Sequence, residues 1–293
     1  MTTYSNLWHR LQPPYAPDEA QGIVRWVLDA LFGMSLTDIV CGKVNELPPA
    51  DGERLEMLMR RLEQGEPVQY VVGETVFCDR VFRVNPSVLI PRPETEELCR
   101  HIVGSNSRPY CGLQPPIPIR VLDVGTGSGC IACTLALDLQ PAQVSAWDIS
   151  SDALLLARDN AHRLNAKINF ECHDALRLPL GMTRQSEPWD IIVSNPPYIT
   201  EKEQVDMRRN VLNYEPHLAL FVPNDDPLRF YRAIAQYASH TLRAQGQLWF
   251  EINPLFSDAL EHMLLELGYA QISIIDDSFG RKRFAKASWP GRS

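Results

Sequence analysis

The sequence lacks any long apolar run. No stretch of the 293 residues approaches the 18 or more consecutive apolar residues that a transmembrane helix needs, and residues 1–17 contain no apolar signal-peptide core. The composition, 45% apolar and 22% charged, is ordinary for a soluble globular protein. These features exclude a membrane-spanning helix and predict a cytoplasmic protein.

The cysteines do not form a recognisable set. There are seven, an odd number, and their scatter argues against a disulfide framework and fits a reducing compartment. Cys130 and Cys133 have a suggestive spacing, but no second cysteine or histidine pair completes a zinc site. We interpret both as small, buried helix residues and expect no metal.

Excess positive charge is also missing. The formal net charge is −8. A protein that grips a nucleic-acid backbone usually carries a basic face. The charge balance therefore weighs against a nucleic-acid partner, without excluding one.

The N-terminal part has a helical pattern. Two stretches that flank a proline pair carry apolar residues at helical spacing: Ile23, Val24, Val27, Leu28 and Leu31, then Leu55, Leu58, Met59 and Leu62. Residues 1–85 hold eight Lys/Arg and twelve Asp/Glu, so the pattern predicts a small acidic helical bundle. Its acidic face is either simply solvated or a docking surface for a basic protein.

We divide the chain into four segments. Residues 1–67 are the helical N-terminal domain, and residues 104–118 are a linker rich in proline. Residues 68–103 are predicted to form a β-hairpin and a connecting helix, with short strands near 71–73, 76–77, 81–82 and 88–90. Thr95 or a neighbouring carboxylate is predicted to cap that helix. Residues 119–293 form the larger domain.

From residue 119 onward, strand and helix patterns alternate. Strands are predicted near 119–124, 143–148, 168–171, 189–194, 246–252, 271–276 and 282–287, and helices near 130–139, 151–164, 228–243 and 255–267. Such alternation is typical of α/β proteins with a doubly wound, mostly parallel sheet. The sequence therefore predicts a Rossmann-like domain with seven strands.

A glycine-rich loop follows the first strand of that domain. It comprises Asp123, Val124, Gly125, Thr126, Gly127, Ser128 and Gly129. Glycines allow a tight turn and let the backbone approach a ligand closely, and placement between a strand and a helix strengthens this interpretation. The spacing differs from that of dinucleotide enzymes, and no Gly-Lys-Ser/Thr follows to hold a nucleoside triphosphate.

Acidic residues end the next two strands. Asp148 can accept both hydroxyls of a ribose, and Asp174 can accept from an adenine amino group beside the N–H of Ala175. The alternatives are a helix cap for Asp148 and a plain loop acid for Asp174. Ribose and adenine contacts without a pyrophosphate cradle favour S-adenosylmethionine, whose cationic sulfonium suits an acidic rim that includes Asp123.

The most specific motif follows the predicted strand 189–194. It consists of Asn195, Pro196, Pro197 and Tyr198. The prolines fix φ and direct the preceding carbonyls, Asn195 adds an acceptor and a donor, and Tyr198 adds a flat face. Such a cluster suits a planar group that bears an NH₂, either an amide or a nucleobase. A rigid strand-to-loop turn is the structural alternative.

Together these motifs resemble class I S-adenosylmethionine-dependent methyltransferases. Three further stretches narrow the resemblance: Gly65 to Tyr70, Leu89 to Glu96, and Tyr214 to Leu220. In that order, they are similar to HemK-type glutamine N5-methyltransferases, and specifically to the branch that acts on peptide chain release factors. The resemblance covers residues 20–286. Asn253 departs from it, because the family usually has glycine there.

The resemblance implies a reaction and roles for the residues. The substrate is the glutamine of a Gly-Gly-Gln tip on class 1 release factors, residues 1–67 recognise it, and the enzyme is a monomer. The cofactor contacts are implied for Gly125 to Gly129, Asp148, Asp174, Ala175 and Asn195, while Asn195 to Tyr198 receive the glutamine. The alternatives are a glutamine methyltransferase of a ribosomal protein and an N6-adenine methyltransferase of nucleic acid.

The chemistry requires placement more than a strong base. A carboxamide nitrogen is a poor nucleophile because its lone pair is delocalised, but a sulfonium methyl is already activated. We expect the Asn195 side-chain oxygen and the Pro196 carbonyl to accept the two amide N–H bonds and so favour the cationic transition state. Tyr198 is expected to pack on the amide plane and exclude water.

Overall fold

The computed structural model describes residues 3–13, 15–106, 117–178 and 187–291. The chain divides into two compact units, the first of Met1–Glu74 and Met207–Glu215, the second of Thr75–Asp206 and Pro216–Ser293. Within the described ranges, no helix is long and apolar enough to cross a membrane. Of the predicted linker 104–118, residues 107–116 lie outside the described residues, and the four predicted segment boundaries stay predictions.

A helix is present at each position where the sequence predicts one, together with several short helices that the pattern does not predict. In chain order they are α1 (Tyr4–His9), α2 (Pro17–Phe32), α3 (Leu36–Val40), α4 (Pro49–Glu63), α5 (Val68–Val72), α6 (Pro93–Asn106), α7 (Cys130–Asp138), α8 (Ser151–Arg163), α9 (Arg209–Tyr214), α10 (Arg229–Thr241) and α11 (Ser257–Glu266). Proline begins α2, α4 and α6, where its missing N–H costs nothing.

The strands include seven that form the main sheet. In chain order the strands are β1 (Glu74–Phe77), β2 (Arg80–Arg83), β3 (Ile119–Val124), β4 (Ala142–Asp148), β5 (Ile168–Cys172), β6 (Trp189–Ser194), β7 (Ile199–Thr200), β8 (Phe221–Val222), β9 (Leu242–Glu251), β10 (Ala270–Asp276) and β11 (Lys282–Ser288). The main sheet has the order β10-β11-β9-β6-β3-β4-β5. All its pairs are parallel except those that β11 makes with β9 and β10. The predicted α/β fold is therefore confirmed.

The central strands of the main sheet are buried on both faces. Along β3, Leu122 and Val124 belong to one apolar cluster while Val121 belongs to the other, and β6 alternates likewise, with Ile192 opposite Ile191. Successive side chains point to opposite faces of a strand. Burial on both faces fits a parallel sheet covered by helices.

The first unit has its own core. Val24, Val27 and Leu28 of α2 meet Leu55 and Met59 of α4, all of them buried. The helical spacing read from the sequence thus marks the buried faces of both helices. These faces supply most of the stabilisation, since isolated helices of this length are marginal in water.

Residues 68–103 partly differ from the prediction. The hairpin of β1 and β2 exists, and its two-residue turn places Cys78 and Asp79 at φ +46° and +59°, as a twisted hairpin turn requires. The strand predicted at 71–73 is wrong, because Val71 packs into the helical core as part of α5. The strand predicted at 88–90 is also wrong, since Val88 instead lines a cavity.

Candidate active site

A cavity of about 410 Å³ opens at the carboxyl ends of the parallel strands in the second unit. Open α/β sheets bind ligands at this edge, and the volume is in the range of small-molecule sites. Of the predicted site residues, the following line it: Gly125, Thr126, Gly127, Ser128, Asp148, Asp174, Ala175, Asn195, Pro196 and Pro197. Asp123, Gly129 and Tyr198 do not.

The glycine loop has the left-handed backbone that favours glycine. Gly125, Gly127 and Gly129 have φ of +76°, +54° and +79°. A Cβ on Gly125 or Gly127 would meet no protein atom within 4 Å, so the space beside the loop stays open. A Cβ on Gly129 would come within 3.1 Å of Ala157 Cβ, because α8 packs there. The loop is thus shaped for close approach on one side and tight packing on the other.

Asp123 lies buried at the end of β3 and does not line the cavity. The Thr126 hydroxyl donates to its Oδ2 over 2.6 Å, while Oδ1 meets no donor with hydrogen-bond geometry among the described residues. Burial raises the pKa of Asp123 to about 7, against the lowering effects of the Thr126 hydroxyl and the backbone N–H of Ala132. A buried oxygen of this kind is compatible with a cationic ligand nearby.

Asp148 ends β4 and accepts two backbone hydrogen bonds. The Gly127 N–H donates to Oδ2 over 2.8 Å and the Ser150 N–H to Oδ1 over 2.9 Å. The cap of α8 is Ser150 itself, whose hydroxyl accepts from the Ala153 N–H. Asp148 is therefore not the helix cap, and its carboxylate keeps lone pairs for a ligand that enters the cavity.

Asp174 and His173 form the wall after β5. The Leu176 N–H donates to Asp174 Oδ1 over 2.9 Å, so Asp174 caps the short 3₁₀ turn Ala175–Arg177. The His173 ring lies 4.3 Å from the Trp147 ring between centroids and also lines the cavity. His173 was not predicted as a site residue, because a histidine before a loop acid has no distinguishing spacing.

The Asn-Pro-Pro-Tyr segment extends from the end of β6. Within the described ranges the only cis peptide bond precedes Pro141, so Asn195–Pro196 is trans. Asn195 Nδ2 donates to Thr95 Oγ1 over 3.2 Å. No described residue donates a hydrogen bond to Asn195 Oδ1, which leaves this oxygen as the free acceptor of a side chain that lines the cavity.

Thr95 and Glu251 lie behind the motif. Thr95 sits inside α6 rather than at a cap, and its hydroxyl donates to Glu251 Oε2 over 2.7 Å. The Tyr198 hydroxyl donates to Glu251 Oε1 over 3.1 Å, and its ring packs against the core. Burial raises the pKa of Glu251, while the Thr95 and Tyr198 hydrogen bonds lower it. Of the two candidates predicted for the helix cap, Thr95 is therefore wrong.

Asn253 stands where the resemblance leads one to expect glycine. Its φ of −76° suits any residue. Its Nδ2 donates to the Tyr198 carbonyl over 3.1 Å and to the carboxyl group of Glu203, and its Oδ1 accepts from the Leu255 N–H. The asparagine thus supports the turn and the Tyr198 backbone together.

Asn160 connects the hairpin to the glycine loop. This fully buried residue of α8 accepts from the Arg83 N–H over 2.7 Å and donates to the Arg83 and Ser128 carbonyls over 3.0 and 2.9 Å. One amide therefore joins β2 to the loop at the cavity. No local pattern could identify Asn160 as a site residue, since its partners lie 77 and 32 residues away.

The residues fit a nucleoside cofactor with a positive charge. Acceptors stand at the ends of β4 and β5, the glycine loop leaves open space, and a buried Asp123 oxygen lacks a donor among the described residues. The cavity is also lined by residues for which no role was predicted, among them Ser87, Leu89, Arg92, Phe230 and Ile234.

Comparisons with known proteins agree with this geometry. The Methyltransferase small domain model matches residues 112–215 and the PrmC N-terminal domain model matches residues 9–73. The Release factor glutamine methyltransferase of Bacteroides thetaiotaomicron is 44% identical, over 95% of this chain and 96% of that protein. The protein of the same name from Flavobacterium psychrophilum is 37% identical, over 90% of each.

A solved structure shares the fold. Human methyltransferase 10 domain containing protein aligns with a TM-score of 0.51 and 17% identity, over 72% of this chain and 88% of that chain. At this identity the likeness concerns the fold alone.

Proposed function

The chain belongs to the release factor glutamine methyltransferase family, and from this premise we propose how its residues perform the reaction. It is a protein-(glutamine-N5) methyltransferase that acts on a release factor. The observation that supports the mechanism is the orientation of the Asn195 side-chain amide. Its NH₂ donates a hydrogen bond to Thr95, so its oxygen is available to an incoming amide. The glutamine acted on is that of the Gly-Gly-Gln tip in class 1 release factors.

The methyl donor is of the S-adenosylmethionine type, and S-adenosylmethionine itself is our proposal. It supplies a methyl group on a sulfonium whose departure leaves a neutral thioether. Asp148 would bind the ribose hydroxyls, and Asp174 with the Ala175 N–H would bind the adenine. The loop from Gly125 to Gly129 would lie against the rest of the cofactor, with the buried carboxyl group of Asp123 behind it.

Asn195 and Pro196 would orient the glutamine nitrogen. The Asn195 Oδ1 and the Pro196 carbonyl accept its two N–H bonds, which turns the lone pair toward the methyl group. They stabilise the positive charge that develops on nitrogen, because oxygen dipoles fixed in advance need no reorganisation. Holding the glutamine nitrogen roughly 3–3.5 Å from the methyl carbon would add to the rate enhancement. The proton leaves to solvent after transfer.

Tyr198 contributes by position. Pro197 lines the cavity beside Asn195, and Tyr198 is anchored through its hydroxyl to Glu251. Packing of the Tyr198 ring against the substrate amide remains a prediction. Its anchoring supports a fixed role, since a tethered ring loses less entropy on binding than a free one.

The test is methylation of a purified class 1 release factor. The protein is incubated with S-adenosylmethionine and the factor, and the products are mapped by peptide mass spectrometry. One added methyl group on the Gly-Gly-Gln glutamine is the expected result. A methylated ribosomal protein, or methylated nucleic acid that disappears after nuclease treatment, with an unmodified factor would contradict the proposal.

We further propose that the enzyme acts as a cytoplasmic monomer without a nucleic-acid partner. The described cysteines, at positions 41, 78, 99, 130, 133 and 172, are free thiols, which is compatible with a reducing compartment. The net charge of −8 supports a protein substrate over a phosphate backbone.

A further inference from the structure

Glu251 joins two segments of the site through its carboxyl group. It ends β9 and is only 2% exposed. Its Oε2 accepts from the Thr95 hydroxyl of α6 at 2.7 Å, and its Oε1 accepts from the Tyr198 hydroxyl at 3.1 Å. Thr95 is itself 3% exposed and contacts Asn195. A three-residue chain thus runs from Glu251 through Thr95 to Asn195.

The direction of these hydrogen bonds is set by Glu251. An ionised carboxylate can only accept, so the single proton of the Thr95 hydroxyl is committed to it. The Thr95 oxygen can then only accept from Asn195. The atom of Asn195 that faces it must therefore be Nδ2, and Oδ1 is left at the other end of the amide.

We propose that Glu251 is a positioning residue, which acts through Thr95 to fix the side-chain amide of Asn195 with its oxygen toward the substrate. This inference rests on the proposed function, in which Asn195 Oδ1 accepts an N–H of the glutamine. A reversed Asn195 would present NH₂ to NH₂ and lose the acceptor. Glu251 therefore selects between a productive and an unproductive orientation of one amide.

Both carboxyl oxygens of Glu251 accept hydrogen bonds from hydroxyl groups, as an ionised carboxylate does. Burial, with Glu94, raises the pKa of Glu251 above its ordinary value, and the Thr95 and Tyr198 hydroxyls and the Arg283 guanidinium oppose this rise. The neighbouring Tyr231 hydroxyl donates to the Glu251 backbone carbonyl at 3.1 Å, which holds the residue without using the carboxyl group. Both carboxyl oxygens are thus available to the two hydroxyls.

Substitutions at Thr95 test the hydrogen-bonded series Glu251–Thr95–Asn195 directly. Thr95→Val keeps the shape but removes the hydroxyl, and we expect kcat to fall about 100-fold, the loss typical of a misaligned polar group in an active site. KM for the release factor and the affinity for S-adenosylhomocysteine, measured by calorimetry, should stay nearly constant. Thr95→Ser restores the hydroxyl and should restore most of kcat.

Glu251→Gln tests whether the carboxylate sets the direction of the hydrogen bonds between Thr95 and Asn195. Glutamine can donate through its NH₂, which allows Thr95 to donate to Asn195 and reverse its amide. We expect kcat to fall at least about 10-fold. The double variant with Thr95→Val should be no slower than the slower single variant, because both substitutions disrupt the same hydrogen-bond network.

The matched control is Thr241→Val. Thr241 is also a buried threonine of the second unit, and its hydroxyl donates to the Tyr237 carbonyl at 3.1 Å, away from the cavity. This substitution should lower the melting temperature and leave kcat unchanged. Loss of stability can thereby be separated from loss of orientation.

A second measurement does not depend on activity. The Asn195 side-chain NH₂ signals are identified in the ¹H–¹⁵N NMR spectrum by their absence in Asn195→Ala. In Thr95→Val the proton that bonds to Thr95 should move upfield, and in Thr95→Ser it should return. A failure of wild-type methylation would sink the proposed function and leave this spectral test intact.

Several results would overturn the inference. Normal kcat in Thr95→Val would do so, as would a Thr95→Ser variant as slow as Thr95→Val. Unchanged Asn195 NH₂ signals in a folded Thr95→Val or Glu251→Gln protein would also reject it. If Thr95→Val does not fold, Glu251→Gln and Thr95→Ser carry the same comparison.

Discussion

Asn195 is the residue on which the proposed chemistry depends. The sequence identified it, because asparagine before two prolines at a strand end is a specific signal. Its partners Thr95 and Glu251 could not be identified this way. Thr95 has the spacing of a helix cap, and nothing local reveals that Glu251, 156 residues later, ends a strand beside it.

Removing the Asn195 amide tests its role. Asn195→Ala should reduce turnover by about 100-fold or more, because an acceptor for the developing charge is lost. Affinity for S-adenosylhomocysteine should change little, since the nucleoside contacts lie on β4 and β5. Calorimetry and single-turnover assays give the two values. Near-normal turnover in this variant would reject the proposed role.

Asp123 makes stability depend on pH. Its pKa in the folded protein is about 7, above the ordinary 3.8, so folding favours the protonated form. Its contribution is greatest below pH 3.8 and is lost as pH rises through 7. Between pH 5 and pH 8 the unfolding free energy should fall by roughly 2.5 kcal/mol from this group.

Asp123→Asn isolates that contribution. The variant keeps an oxygen for the Thr126 hydroxyl but does not titrate. Urea unfolding of both cofactor-free proteins at pH 5 and pH 8 gives the difference. A pH dependence that is the same in the two proteins would mean that Asp123 does not titrate in this range.

At the scale of elements, the turn from β3 into α7 needs glycine at one defined place. Gly129→Ala puts a Cβ 3.1 Å from Ala157 Cβ at a φ of +79°, and should destabilise the second unit by about 1–3 kcal/mol. Gly104→Ala is the control, because Gly104 lies in α6 with no atom within 4 Å of a new Cβ. It should stabilise by about 0.5–1 kcal/mol. Denaturant unfolding measures both; equal effects would contradict the packing argument.

The hairpin and the glycine loop depend on a shared helix residue. Asn160→Ala leaves the Arg83 N–H and two carbonyls without their partner, so we expect a loss of about 2–4 kcal/mol and weaker cofactor binding. Asn169→Ala removes an exposed hydrogen bond to Glu171 and should change stability by less than about 0.5 kcal/mol. Equal losses in the two variants would contradict this.

Element identity was predictable where the pattern is long. The central strands β3 and β6 were the easiest to predict, because buried parallel strands are nearly continuous apolar runs. The short segments failed: Val71 and Val72 favour a strand by composition, yet tertiary packing places them in a helix. The prediction also failed at Val88, which lines the cavity instead of lying in a strand, because its conformation depends on contacts with residues that are distant in sequence.

At the scale of the whole molecule, the residues of the cavity have proposed roles toward the cofactor and the glutamine side chain only. We propose that residues 1–67 recognise the remainder of the release factor. A short Gly-Gly-Gln peptide should therefore be methylated with a KM at least roughly 100-fold higher than that of the intact factor, a loss of about 2.7 kcal/mol of binding. Steady-state assays with both substrates test this, and an equal KM would contradict it.

The position of Asn160 limits where the sequences of two related proteins can be joined to make a chimaera. The family model for the methyltransferase half begins at residue 112, which leaves the hairpin of β1 and β2 outside it. Yet Arg83 of β2 and Ser128 of the glycine loop hydrogen-bond to the same amide. A chimaera joined near residue 112 would inherit a hairpin and a loop that never co-evolved around that amide, whereas a junction before Glu74 would keep them from one parent.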